Sequence, residues 1–352
     1  MTEGIATPGA GWRRADGWVG KKKGGKGRRS GRRAVGEVSM VDEAEFTSYY
    51  DRPIIKAPVW KSPDVPLYLF LGGAAGTSSI LGAMADLSGR PALTRVSRLV
   101  AGGGSIASVA FLVHDLGRPE RFLHMLRVIK PTSALSVGTY ILSPFSAAAG
   151  ATAAVELLGW FPRLKRFGGI VSALFGGPMS TYTAVLLANT AVPSWRAPHK
   201  QLPFVFASSA MAAGGGITMA LTPVAEAGPS RKMAVTGAAI ELGLMHRVEH
   251  DHGIVSEPYR IGKAGKFLNA ARTCTAAGAG LTVVAGRTRL GAVASGTLLA
   301  AGSLLTRFGV FEAGMASARD PKYTVVPQRE RMAAREAGRV AAADDHAPTV
   351  TH

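Results

Sequence analysis

Titratable side chains are sparse in the middle of this chain, and the few present lie in apolar surroundings. His114 and Asp115 close one apolar stretch, and Asn189 lies near the end of another that carries Tyr182 deeper inside. Glu241 interrupts a third stretch, which ends at His246; Arg272 sits near the start of a fourth and Arg307 near the end of a fifth. Ionisable groups in such a setting face inward, pair with one another, or carry protons. Glu241 lies six residues before Arg247, and Arg272 six after Lys266. That spacing puts each about 9 Å along a helix from the same end. The two are therefore the expected ion pair, with Arg307 and His246 in the same network. Two chemistries fit it, a structural ion lattice or a proton route. His114, Asp115 and Glu241 can pass protons, and the Tyr182 phenol can donate a hydrogen bond.

The elements that hold these residues are long charge-free runs. Residues 65–85, 99–113, 131–155, 167–195 and 201–225 contain no Asp, Glu, Lys or Arg. Three further runs, about 232–247, 266–286 and 290–311, each carry one charge inside their ends. A membrane-spanning helix needs roughly 20 predominantly apolar residues. The expected fold is therefore all-α, a polytopic integral membrane protein with about eight transmembrane helices over residues 65–311. Glycine runs such as Gly102-Gly103-Gly104 and Gly214-Gly215-Gly216 suit close helix approach in lipid. Short alternating strands, which a β-barrel needs, are missing.

Two polar tails flank this domain, residues 1–64 and 312–352. The first holds the low-complexity run Lys21-Lys22-Lys23-Gly24-Gly25-Lys26-Gly27-Arg28-Arg29, expected to be disordered. The acidic stretch Val41-Asp42-Glu43-Ala44-Glu45 sits where a signal peptide would place its apolar segment, which argues against one. An even number of spans puts both termini on one side, here called the tail side. The basic clusters in the tails make that side cytoplasmic. The net charge of +18 is therefore a membrane-protein signature; basic residues interleaved with aromatics, as nucleic-acid binding requires, do not occur. The single Cys274 excludes an intrachain disulfide and any cysteine-held iron–sulfur cluster or zinc in this chain.

The connector between the second and third spans runs from His114-Asp115-Leu116-Gly117-Arg118-Pro119 to Lys130-Pro131-Thr132-Ser133. Gly117 permits a turn and Pro119 suits a first helical turn. Phe122, Leu123, Leu126 and Ile129 follow at helical spacing, with Arg118, Arg121, Arg127 and Lys130 on the other face. This predicts a short amphipathic helix in the membrane interface, with Asp115 paired to Arg118 or Arg121.

A span ending in Asp-Leu-Gly-Arg-Pro, then Arg121-Phe122 and Thr132-Ser133, resembles the membrane subunit of the NrfD/polysulfide reductase family. Tyr182-Thr183, Pro193-Ser194-Trp195, Leu202-Pro203-Phe204-Val205-Phe206, Arg307-Phe308-Gly309-Val310-Phe311 and Arg319-Asp320-Pro321 extend the resemblance over about residues 46–332. It implies two four-helix bundles in a bacterial plasma membrane. It also implies a site for menaquinone or ubiquinone near the face where an iron–sulfur ferredoxin-like subunit docks. That partner would relay electrons to or from a molybdopterin-type catalytic subunit. On this resemblance Tyr182 occupies the position of a quinone-contacting tyrosine, with His114, Asp115 and Asn189 as further quinone-binding candidates. The first span lacks the histidine some members carry there. Neither haem nor metal is expected in this chain, since His114 and His246, the only histidines near spans, lie at span ends. The alternatives are a secondary transporter, whose internal repeat is not evident here, and a purely structural membrane anchor.

Overall fold

A computed structural model describes residues 54–344 apart from positions 119, 128 and 160. The basic run at Lys21–Arg29, most of the 1–64 tail and residues 345–352 lie outside the described residues. All regular structure among the described residues is helical: α1 Asp64–Leu87, α2 Pro91–Asp115, α3 Glu120–Met125, α4 Ala134–Leu158, α5 Pro162–Ala188, α6 Pro193–Arg196, α7 Leu202–Leu221, α8 Gly228–His250, α9 Glu257–Arg260, α10 Gly262–Ala285, α11 Arg289–Arg319 and α12 Lys322–Asp344. Among the described residues, six of these, α1, α2, α4, α5, α7 and α11, are long and apolar enough to cross a membrane. The helices α8 and α10 have spanning length, 23 and 24 residues, but their charges lower the hydropathy.

Proline opens α2, α5, α7 and α8 within the first two positions, where its missing N–H leaves no helical bond broken. Gly159, at φ 71°, ends α4 in the left-handed conformation that favours glycine. Two helix crossings depend on glycine pairs. A Cβ on Gly76 of α1 would lie 2.6 Å from the Gly176 carbonyl of α5, and one on Gly216 of α7 would lie 3.0 Å from the Gly296 carbonyl of α11. Small residues let these backbones touch, the packing mode that drives helix association in lipid.

The helix α1 packs on α2 and α5, and α4 packs on the same two. Later in the chain α7 packs on α8 and α11, and α10 on α11 and α8; α1 also touches α7. A second tie joins early and late segments. The Glu226 carboxylate, between α7 and α8, accepts from Ala92 N at 2.8 Å and Leu93 N at 3.1 Å. It caps the first turn of α2, where a negative charge meets the positive end of the helix dipole.

At the tail side the ends are closed by aromatic packing. Trp195, on α6, is fully buried; its indole N–H donates to the Val310 carbonyl at 2.7 Å, and its ring stacks on Trp60 at 5.5 Å. Tyr259 donates to the Ser194 carbonyl at 2.6 Å; burial, with the Glu249 carboxylate nearby, pushes its phenol well above the usual range.

The second helix begins at Pro91, close to the start near Leu93 that the sequence allows, with Arg98 inside it. Two other boundaries differ from the sequence expectation. The helix α8 continues through Glu249. The helix α11 runs on to Arg319, and Ala313, Gly314, Ser317 and Ala318 are buried there, with Gly314 against the Trp195 ring. The expected amphipathic helix shrinks to the six residues of α3. Beyond Met125 the backbone bonds to α4 instead: the Leu126 carbonyl accepts from Tyr140 Oη at 2.9 Å, and Lys130 N donates to Ser136 Oγ at 2.9 Å. Those bonds replace helical ones, and Ile129 is left 73% exposed.

Candidate functional site

Two polar centres occupy the tail-side half of the helices. The first is a corner formed by α1, α2, α4 and α5. Tyr182 of α5 is half-buried, and its ring tip lies where Gly138 of α4 has no side chain; any Cβ there would overlap it. The buried Tyr68 of α1 has the Tyr182 phenol and the Asp115 carboxylate as its electrostatic neighbours. Ser108 Oγ donates to the Tyr68 carbonyl at 3.0 Å and fixes α2 against α1. Neither phenol hydroxyl makes a hydrogen bond among the described residues, which leaves two donors available in a largely desolvated corner.

The rim of this corner is ionic. His114 Nδ1 meets Asp64 Oδ2 at 2.8 Å; the carboxylate is buried, whereas the imidazole is 74% exposed. Asp115 Oδ1 accepts from Lys61 N at 2.9 Å. The expected pairing of Asp115 with Arg118 or Arg121 does not form. The turn at Gly117, φ 71°, carries both arginines outward into exposed positions, and Arg121 donates to the Leu116 carbonyl at 3.2 Å. Asn189 caps α5 and is exposed, away from these contacts. The structure thus brings Tyr182, Asp115 and His114 to one corner and adds two residues that the sequence reading passed over, Tyr68 and Asp64. Their four-residue spacing places them on one face of α1, a signal present in the sequence.

The second centre is enclosed between α7, α8, α10 and α11. Glu241 is 2% exposed; its Oε1 accepts from Thr306 Oγ1 at 2.7 Å, and the Ser209 hydroxyl, itself bonded to Ser303 at 2.9 Å, lies beside it. The expected Glu241–Arg272 pair is absent. Arg272 pairs with Glu249 instead. The reason is the tilt of side chains toward a helix N-terminus. The helix α10 starts at the tail side, so Arg272 leans back toward that face and meets the last turn of α8. The helix α8 ends at that face, so Glu241 leans deeper. Arg307 is fully buried; its Nη2 donates to the Phe206 carbonyl at 2.8 Å and its Cζ lies 3.9 Å over the Phe206 ring. The Arg307 Nε and Nη1 atoms and Glu241 Oε2 make no hydrogen bond among the described residues. His246 is exposed and stacks on His250 at 4.3 Å, outside this centre.

A third polar group lies at the opposite ends of α1, α2 and α4. Arg98, 6% exposed, bridges Asp86 at 3.3 Å and Glu156 at 3.2 Å. Lys165 adds a contact to Glu156 at 3.3 Å.

The family model for NrfD, polysulphide reductase, matches residues 55–248, more than half of the chain. The chain belongs to the NrfD family. It is therefore a multi-pass membrane protein from a family of membrane subunits of oxidoreductase complexes. The match contains the whole phenol corner and reaches Glu241 and His246. No curated protein matches this NrfD-family chain.

Proposed function

We propose that this NrfD-family chain is the quinone-interacting subunit of a respiratory complex, with its quinone site at the corner between Tyr68 and Tyr182. The observation that carries this reading is the pair of phenol hydroxyls, unbonded within the described residues and set beside Asp115. Phenols are suitable donors to a carbonyl oxygen, and such bonds strengthen in a desolvated corner. Asp115 and the exposed His114, held by Asp64, supply titratable groups between this corner and water. A bound menaquinone or ubiquinone would supply two-electron redox chemistry coupled to two protons. The chain's own residues would orient its carbonyls and pass protons, while electrons arrive through an iron–sulfur subunit from a molybdopterin-type catalytic subunit.

The helix neighbours support two four-helix bundles, α1, α2, α4, α5 and α7, α8, α10, α11, and hence eight spans; the family resemblance supports a bacterial plasma membrane. The basic tails support a cytoplasmic tail side. Tyr182→Phe in the assembled complex tests the site, because it removes one hydroxyl and keeps the ring. The expected result is normal abundance with quinone-linked turnover lowered about tenfold, the loss of roughly 1.4 kcal/mol from the transition state. Unchanged turnover removes Tyr182 from the site.

A further inference from the structure

We propose that Glu241 is a proton-exchanging carboxyl group, reached by water from the tail side through a small chamber between α8, α10 and α11. This chamber lies among helices that do not form the phenol corner, so the inference stands apart from the quinone reading.

Glu241, Glu249, Arg272, Thr275 and Thr306 line the chamber, with apolar walls from Met245 and Leu268. The space open to water-molecule centres is ≈ 20 Å³, above the about 10–15 Å³ that one water requires. A buried water also needs two to four polar partners. Glu241 Oε2 and Thr275 Oγ1 are both buried and make no hydrogen bond among the described residues. They are unengaged partners on the wall of the same chamber, and Thr306 Oγ1 is a third polar atom there.

The two ends of the chamber differ. At the end nearer the tail side Glu249 is 3% exposed but its partner Arg272 is 51% exposed, so this ion pair stands between the protein surface and the chamber. At the other end Glu241 meets the Ser209–Ser303 hydroxyl pair and the fully buried Arg307. The charged groups around Glu241 are Glu249 on its own helix, Arg272 from α10 and Arg307 from α11. The helix α7 brings hydroxyls and no charge. Arg307 stays outside ion-pair distance of Glu241. Among the described residues no cation at ion-pair distance holds this carboxyl in its ionised form. Proton uptake forms an O–H bond at Oε2 and breaks one on the chamber water, which regains its proton from the tail side past Glu249. In its protonated state Oε2–H donates to that water; in its ionised state Oε2 accepts from it.

Infrared difference spectra of the purified full-length chain in lipid, recorded across pH in H2O and in D2O, test this. The expected result is a carboxylic acid carbonyl band that shifts on deuteration and is lost in Glu241→Gln. Thr275→Val keeps the carboxyl but replaces the unengaged hydroxyl with a methyl group, and should slow deuterium exchange of that band. A Glu241→Gln spectrum identical to that of the parent, or exchange as fast in Thr275→Val as in the parent, overturns the proposal. If Glu241→Gln does not accumulate, the Thr275→Val exchange rate alone decides.

Discussion

Arg98 and Arg307 are both arginines inside apolar helices, 6% and 0% exposed, and their surroundings differ in kind. Arg98 has a carboxylate on either side, from Asp86 and Glu156. Arg307 has a carbonyl, an aromatic face and two nitrogens without a bond among the described residues. Burying a charge costs several kcal/mol, and only close counter-charges and complete hydrogen bonding recover it. The first arrangement is an ion lattice that ties α1, α2 and α4 at the end remote from the tails, with the Arg98 Nε unbonded among the described residues. The second, in the tail-side half of the helices, has no carboxylate at ion-pair distance and leaves more of its hydrogen-bonding capacity unused among the described residues. The contrast is between an arginine held by two carboxylates and one with no carboxylate at ion-pair distance.

The largest expected effect tests the Arg98 lattice. Arg98→Met removes the cation shared by two carboxylates; Glu156 keeps Lys165 and Asp86 keeps Arg166, so the cost is that of the two lost charge-assisted contacts, about 3 kcal/mol. Loss of the chain from membranes, or a lower unfolding temperature in detergent, would register it. Arg307→Met should be milder, because it strands no carboxylate at ion-pair distance and removes a costly desolvated charge. If the two changes lower the unfolding temperature equally, the contrast between the two arginines is false. The Arg272–Glu249 pair sharpens it further through an asymmetry. Arg272→Gln leaves the buried Glu249 carboxylate without its cation and should cost roughly 2 kcal/mol or more. Glu249→Gln leaves only a half-exposed guanidinium, which water can solvate, and should cost about 1 kcal/mol or less. Equal effects from the two would show that Glu249 is not enclosed as described.

The helical architecture was legible because a charge-free run of spanning length fits few structures besides a membrane helix; α1 and α7 match the expected runs within a few residues. The boundaries were less so, because a charge in an apolar run reads as the end of a span. Arg98 and Glu249 break that rule in two different helices. Each is held inside its helix by a partner more than twenty residues away, Glu156 or Arg272, which no local pattern announces. Arg307 and Glu241 were recognisable as buried charges from sequence alone. The absence of the expected Glu241–Arg272 pair came from side-chain tilt, a three-dimensional property of helix direction. In the corner, Tyr182 was found through resemblance, whereas Tyr68 required its neighbours on α2 and α5 to be in place.

The Glu226 carboxylate bears on how the chain is made. It bonds amide groups 133 and 134 residues earlier in the sequence. A ribosome therefore releases α2 long before the residue that finishes its first turn exists. Until α7 has been inserted, those two amides must find water or headgroup partners at the membrane surface. The closing of this contact marks the moment when early and late helices become one body. A truncated chain ending before residue 226 would display an α2 whose first turn lacks this carboxylate cap.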